Sequence, residues 1–478
     1  MFLGIDLGTG SVKALLLDEA GRVAAQASRP YPVVSPQPGQ AETPPGLWWE
    51  RTAEAVRACC AGAANAVRGI GLSGQAHGVV PVGAGDEALR PAILWPDTRM
   101  RAQVEAMLRL PDGLRLALCN PVVTGMAAPA LMWLAAHEPE VLRRARVVLS
   151  PKDWLRLRLT GETATEPSDA SMTLLYDMVA DCWSQPLAEA IGLDPRLLAP
   201  IIGSTDAAGS LHPAAAEALG LPSGIPVAAG LADSAACLFG LGLGRPGAAV
   251  LQIGSGIQLM TVSGQVEPVL QPFYNSYRGA GAVRYRMAAM LNGGTAFEWV
   301  RGLLAASWEE MYEAAFAPGA GTSEALFLPY ASGERSPLLD PTASASWTGL
   351  RLGCGRGELI RATFEGVALA IRDSWDALQR TGVEAAEMLI TGGGSADPRW
   401  RQLVADVVGV PMRPVADTGH AAIGAAWLGG IAAGHWPVAN AASLPLDMGE
   451  PVMPRPRPEL RSRLERFRDT YRRLRNPA

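Results

Sequence analysis

Phe2-Leu3-Gly4-Ile5-Asp6-Leu7-Gly8-Thr9-Gly10-Ser11-Val12-Lys13 opens the chain, which continues as Ala14-Leu15-Leu16-Leu17. An apolar run ends on an acid, turns through glycine and hydroxyl residues, and leaves as a second apolar run. That is the pattern of two strands joined by a tight glycine turn. Gly8 and Gly10 let backbone N–H groups approach an anion closely, Thr9 and Ser11 add hydroxyls, and Lys13 adds positive charge. Asp6, at the strand mouth, is placed to hold a magnesium ion, usually through water. Taken alone, the stretch is equally an ordinary hairpin whose Asp makes a local turn bond.

The device recurs at Ala248-Ala249-Val250-Leu251-Gln252-Ile253-Gly254-Ser255-Gly256-Ile257-Gln258-Leu259-Met260. Gly254-Ser255-Gly256 aligns with Gly8-Thr9-Gly10, so two halves facing one another would hold a triphosphate between two hairpins. Asp6 aligns with Gln252, which leaves any metal to the N-terminal side.

Bulk properties narrow the class. A chain of 478 residues, 49% hydrophobic and 18% charged, is long enough for two cored domains. Its 53 Gly and 38 Pro imply many turns, and a net charge of −5 argues against nucleic acid as a partner. Six scattered cysteines without CxxC or Cys/His spacing indicate a reducing cytoplasm. No signal peptide is expected, because Asp6 and Lys13 interrupt its apolar core. Ala421–Gly434 falls short of the roughly 20 residues that span a bilayer, and Gly224–Gly244 carries Asp233 near its centre. No membrane association is expected.

Along the chain, strands and helices alternate as in an α/β protein. Val23–Pro30 reads as a third strand and Glu42–Ala64 as a helix. Ala66–Ser73 reads as a buried strand ending in Gly74-Gln75-Ala76-His77-Gly78. A helix fits from Pro151, since proline suits a first turn. Pro226–Gly230 is a strand delivering Leu231-Ala232-Asp233-Ser234 to a helix start. The break between halves falls at Gly242–Gly247, giving expected domains of 1–243 and 244–478. Further on come Arg356–Arg380 as a long helix and Met388–Thr391 as a strand opening into Gly392-Gly393-Gly394-Ser395-Ala396-Asp397. In the tail, Leu460, Leu464, Phe467, Tyr471 and Leu474 form an apolar stripe among arginines, the signature of a docking helix with a solvated face.

Asp233 is the foremost catalytic candidate, set among small residues at a helix start. As a general base it would take the proton from a substrate hydroxyl attacking a γ-phosphate; by itself it also reads as a helix cap. His77 reads either as a structural histidine or, with Gln75 and Ala76, as a partner for sugar hydroxyls. Gly392–Gly394 read either as a plain turn or as a surface on which a nucleotide lies flat.

Taken together, these stretches resemble the FGGY carbohydrate kinases along nearly the whole chain. The likeness is carried by Asp6-Leu7-Gly8-Thr9, Gly74-Gln75-Ala76-His77-Gly78, Trp95-Pro96-Asp97-Thr98-Arg99, Ala128-Pro129 with Leu131-Met132-Trp133, and Pro151-Lys152-Asp153-Trp154-Leu155-Arg156-Leu157-Arg158. It continues through Ser168-Asp169-Ala170, Ala232-Asp233, Phe327-Leu328-Pro329-Tyr330, Ser332-Gly333-Glu334-Arg335, Phe364-Glu365-Gly366 and Gly392-Gly393-Gly394. The branch most resembled is the one acting on D-xylulose.

The resemblance implies two actin-like ATPase (RNase H-like) domains around a central cleft, with ATP and Mg2+ on one side and a small sugar on the other. It implies that Asp233 is the base for the 5-hydroxyl of D-xylulose and that Asp6, with Asp233, organises the metal. Ala76, His77, Asp233 and Ser234 would contact sugar. Gly8, Thr9, Gly10, Ser11, Lys13, Gly254, Ser255 and Gly256 would hold phosphates, and Gly393, Gly394 and Asp397 would lie beside the adenosine. It also implies a homodimer, although no stretch stands out as an interface. Glycerol-type members carry Arg-Glu where this chain has Ala76-His77, which argues against glycerol. Ala76, Pro96, Ser234, Gly256 and Leu338 depart from the D-xylulose pattern, and Ala76 and Ser234 fall at the expected sugar site. The alternatives are a kinase for another pentulose or a pentitol, and a non-catalytic nucleotide-driven sensor; Asp233 argues against the sensor.

Overall fold

Each of the two main sheets in a computed structural model, which describes residues 1–318, 324–416, 419–438 and 446–475, repeats one local plan. In the first, β1 (Phe2–Leu7) runs antiparallel to β2 (Ser11–Leu17), which pairs outward with β3 (Val23–Pro30). On its other side β1 runs parallel to β4 (Gly69–Gly74). β5 (Ala207–Ser210) and β6 (Pro226–Ala228) complete the order β5-β6-β4-β1-β2-β3, and β7 (Leu231–Ala232) also pairs with β4.

The second sheet contains β8 (Ala249–Ile253), β9 (Ile257–Ser263), β10 (Asn275–Arg278), β11 (Arg284–Met290), β12 (Met388–Thr391) and β13 (Met412–Pro414), in the order β10-β11-β9-β8-β12-β13. β8 is antiparallel to β9 and parallel to β12, as β1 is to β2 and β4. The registers correspond: Asp6 lies opposite Lys13 and Ser73, and Gln252 opposite Gln258 and Thr391. Strand ends carrying polar residues therefore point the same way in both halves, as ligand-binding α/β sheets require.

Central strands read as near-continuous apolar runs because both faces are covered; in β1 only Asp6 is not fully buried. α1 (Pro45–Cys59) packs Trp48, Val56 and Cys59 against the first sheet. It is shorter than the expected Glu42–Ala64 helix. Glu42 and Thr43 instead pair with Ala92 and Ile93, since a residue before Pro44-Pro45 is pushed to extended backbone.

Two helices cross at the junction of the halves: α4 (Asp233–Gly240) and α7 (His420–Ala432). α7 comes late in the chain yet lies on the first sheet. A Cβ on Gly71 would fall 1.8 Å from the Ala425 carbonyl oxygen, and one on Gly240 2.1 Å from that of His420. Backbone-to-backbone approach of this kind is open only to glycine.

The second sheet is covered by α5 (Arg356–Gln379) and α6 (Pro398–Val408), where the Phe364 and Trp400 rings sit 5.3 Å apart. α8 (Glu459–Arg475) docks Leu464 and Phe467, while Leu474 is 54% exposed, so the apolar stripe ends short. Its arginines pair with carboxylates: Arg463 with Glu365, Arg466 with Glu324, Arg468 with Asp373 and Asp376. Among the described residues, no helix is long and apolar enough to cross a membrane.

Candidate active site

A cleft of ≈ 400 Å³ opens where the strand ends of both sheets meet. Among the residues lining it are Thr9, Ala76, His77, Asp233, Ser234, Gly254, Ser255 and Gly256, eight of the sequence-derived candidates. The hairpins differ in one respect from the reading of their glycines. The Gly8 N–H donates to Ser11 O at 3.0 Å and the Gly254 N–H to Gly256 O at 2.9 Å. The first glycine of each turn thus spends its N–H closing the hairpin, and Thr9 of the first turn and Ser255-Gly256 of the second line the cleft. Tyr31 and Gln75 hold the first turn further by donating to Gly8 O.

Asp233 sits part-buried at the first position of α4, its Oδ1 accepting the Ser234 N–H at 2.6 Å. Burial, and then the negative charge of Asp6, push its carboxyl up to about 7. Burial also raises Asp6, against the Ser73 hydroxyl and the Lys13 charge. A carboxylate raised by burial and by a neighbouring acid is a natural candidate for acid–base or metal chemistry.

Asp6 Oδ1 is buried without a hydrogen-bond partner, an expensive omission for an anion. A hydrated Mg2+ would satisfy it, and one or two carboxylates plus substrate phosphates is the donor set that ion ordinarily takes. No cluster of three or more His, Cys, Asp or Glu ligands occurs among the described residues.

His77 adopts φ 68°, turning its ring into the cleft. Its Nδ1 lies 2.7 Å from the Met172 carbonyl, which only accepts, so Nδ1 carries the proton and Nε2 is left as an acceptor. Burial, with the Arg335 charge, lowers its pKa to about 4 against the pull of Met172. The ring is neutral at pH 7. Ser234 is buried, and its hydroxyl pairs at 2.8 Å with the Tyr285 hydroxyl on β11. This side chain ties the two lobes together rather than standing free for a ligand.

Among the lining or supporting residues that the sequence reading missed are Trp95, Arg335 and Tyr285. Trp95 Nε1 donates to Thr9 Oγ1 at 2.9 Å, and the Arg335 guanidinium lies over the Trp95 indole. Their motifs, Trp95–Arg99 and Ser332–Arg335, had been singled out, but nothing in a linear chain pairs them.

Other candidates lie outside this cavity. Lys13 reaches toward α7, where a Cβ on Gly419 would meet its Nζ at 2.6 Å. Gly392, at φ 92°, rests on Ile253 beside the second hairpin, and Gly393 is exposed with open space around it. Asp397 caps α6, accepting the N–H groups of Arg399 and Trp400, and pairs with Arg399 at 2.9 Å. Asp6, Gly8, Gly10 and Ser11 form the wall behind Thr9 rather than the lining itself.

Two family models describe the chain. The N-terminal domain of the FGGY family of carbohydrate kinases matches residues 1–240, and the C-terminal domain matches 255–433. The chain belongs to the FGGY family of carbohydrate kinases. It is accordingly a phosphotransferase with an alcohol acceptor, and ATP use follows from the family. Xylulose kinase of Escherichia coli (strain K12) is 35% identical over 439 residues, covering 91% of this chain and 90% of that one. A crystal structure of a xyloylose kinase from Brucella ovis superposes with TM-score 0.91 at 34% identity, covering 99% of this chain and 98% of the other. Xylulose kinase from Rhodospirillum rubrum gives TM-score 0.90 at 28% identity, covering 99% of both. The FGGY architecture and its two-lobed, actin-like cleft are thereby accounted for.

Proposed function

We propose that this FGGY kinase phosphorylates D-xylulose at its 5-hydroxyl, forming D-xylulose 5-phosphate and ADP. The observation that carries the reading is Asp233: a carboxylate at a helix start, inside a cleft also lined by Thr9 of the first hairpin and Ser255-Gly256 of the second. Xylulose kinases among its relatives point to the sugar.

Asp233 accepts the proton of the sugar hydroxyl as that oxygen bonds to the γ-phosphorus, and the β,γ-bridging oxygen leaves with ADP. A base so placed contributes about 10²–10⁴-fold. The neutral His77 Nε2 accepts a hydrogen bond from another sugar hydroxyl and so orients the chain of the sugar. Tip N–H groups of the hairpins neutralise phosphate charge. Asp6 and Asp233 would hold Mg2+, which supplies charge neutralisation on the phosphates when bound. Gly393 and its open surface would lie against the adenosine, with Asp397 setting the α6 start nearby.

The test is ADP release with Mg-ATP and a panel of D-xylulose, D-ribulose, L-ribulose, xylitol, ribitol and glycerol. Preference for D-xylulose is expected. Preference for another pentulose or a pentitol moves the substrate and places the cause at Ala76 and Ser234. ATP binding without turnover on any of them removes D-xylulose and leaves a sugar outside the panel or a sensor. Asp233→Ala is expected to abolish transfer while ATP still binds.

A further inference from the structure

Behind the base lies a set of charges sealed from water. Lys152, Asp153 and Arg156 come from α2 (Pro151–Thr160), and Glu166 and Asp169 from the start of α3 (Pro167–Ser171); none is more than 2% exposed. Lys152 Nζ lies 2.7 Å from Asp153, 3.1 Å from Asp169 and 3.6 Å from Glu166, and Arg156 lies 2.8 Å from Asp153. Burying three acids and two cations costs more in desolvation than an apolar replacement of the same volume. Such a set persists where it holds something in place.

What it holds is the backbone that delivers Asp233. Lys152 and Arg156 donate to Ala229 O at 3.3 and 2.9 Å. Ser168 donates its hydroxyl proton to Glu166 at 2.6 Å, which turns the oxygen's lone pairs toward the Ala232 N–H, accepted at 2.8 Å. Ala232 immediately precedes Asp233. At the other end of the same segment, Met172 O receives the His77 Nδ1–H. Between them, Ser171 donates to Ser168 O and accepts the Arg278 N–H of β10, in the other lobe, at 3.0 Å.

We infer that residues 166–172 are the positioning element of the active site: Ser168 sets the base, Met172 sets the sugar-facing imidazole, and Ser171 ties both to the second lobe. Ser168 and Ser171 are positioning residues and touch no substrate. The inference rests on the reading of Asp233 as the base.

The test compares Ser168→Ala with Ser204→Ala. Ser204 donates to the same Glu166 carboxylate at 2.7 Å but has no bond to Ala232. Ser168→Ala is expected to lower kcat about 10–100-fold with the sugar KM changed less than about threefold, as for a misplaced reacting group. Ser204→Ala is expected to lower the thermal midpoint similarly while keeping kcat within about threefold. Unchanged kcat in Ser168→Ala, or equal kcat losses in both variants, overturns the inference. Should Ser168→Ala not fold, Ser171→Ala carries the test: a severalfold loss of kcat supports the inference and wild-type kcat overturns it. Asp233→Asn run alongside separates the two layers. An active Asp233→Asn overturns the base itself; an inactive one beside a fully active Ser168→Ala overturns only the positioning.

Discussion

The Arg335 guanidinium stacks over the Trp95 indole, with Cζ 5.6 Å from the ring centroid, and joins the two lobes across the cleft. Trp95 in turn donates to Thr9 at the tip of the first hairpin. The next residue back, Glu334, accepts from the Leu291 and Arg335 N–H groups and from Asn292, anchoring the same loop beside the second hairpin. One loop is therefore linked to both hairpins, to the first of them through Trp95. It is a geometric reason for lobe position and hairpin position to change together.

Removing that stack has a measurable consequence. A partly desolvated cation–π contact is worth about 1–2 kcal/mol. Arg335→Gln is expected to lower kcat/KM for the sugar by about 5–30-fold, the same energy expressed as a rate ratio. Steady-state kinetics with saturating ATP checks it, and wild-type kcat/KM would show that the stack has no bearing on turnover.

Asp6 makes the second prediction. Its orphaned Oδ1 and its position beside Asp233 suit a hydrated divalent ion. Asp6→Asn keeps the shape and removes the charge. The Mg2+ concentration for half-maximal activity is expected to rise at least about tenfold, in line with losing one charged ligand. Titrating Mg2+ against ADP release checks this, and chelating the divalent ions should stop release in the wild-type enzyme.

Close packing of α7 on the first sheet leaves no room at Gly71. An added Cβ there meets backbone, the Ala425 oxygen at 1.8 Å and the Gly429 nitrogen at 2.7 Å, and neither atom is the end of a flexible side chain. Gly71→Ala is expected to destabilise by more than about 3 kcal/mol, the range of severe overpacking. Gly62→Ala is the contrast: it has space around it and bears only the strain of φ 78°. Thermal unfolding of the two variants distinguishes packing from backbone strain.

His77 supplies a pH-dependent signal in stability. Its folded pKa is lowered to about 4, below the unfolded value of roughly 6.5. Between those values the unfolded chain binds a proton that the native state does not, so stability falls as pH drops through this window. The slope for one proton is about 1.4 kcal/mol per pH unit, and it vanishes below the folded pKa. His77→Asn removes the proton site with a residue that tolerates positive φ. The stability difference between wild type and His77→Asn should shrink as pH falls from 6.5 to 4; a constant difference would contradict the burial of a neutral ring.

Local pattern carried much of the site. The two glycine–hydroxyl–glycine turns, the acid ahead of the first and Asp233 at a helix start are legible because each depends on neighbours within a few residues. The repeated order of apolar runs around the turns made the paired sheets legible for the same reason. Helix limits near Pro44 were less so: competition between a proline-started helix and a short strand was decided by Ala92 and Ile93, half a hundred residues away.

What tertiary structure alone decided are relations between distant residues. Trp95 meets Arg335, Ser234 meets Tyr285, Ser168 meets Ala232, and α7 folds back onto the first sheet. The sequence by itself determined the two glycine turns, the acid ahead of the first and the Asp at a helix start, because hydrophobic period, turn chemistry and charge act over short spans. Which of them touch, and hence which hydroxyl is engaged and which carboxylate left unpaired, was decided by packing, which brings buried polar groups together from distant parts of the chain.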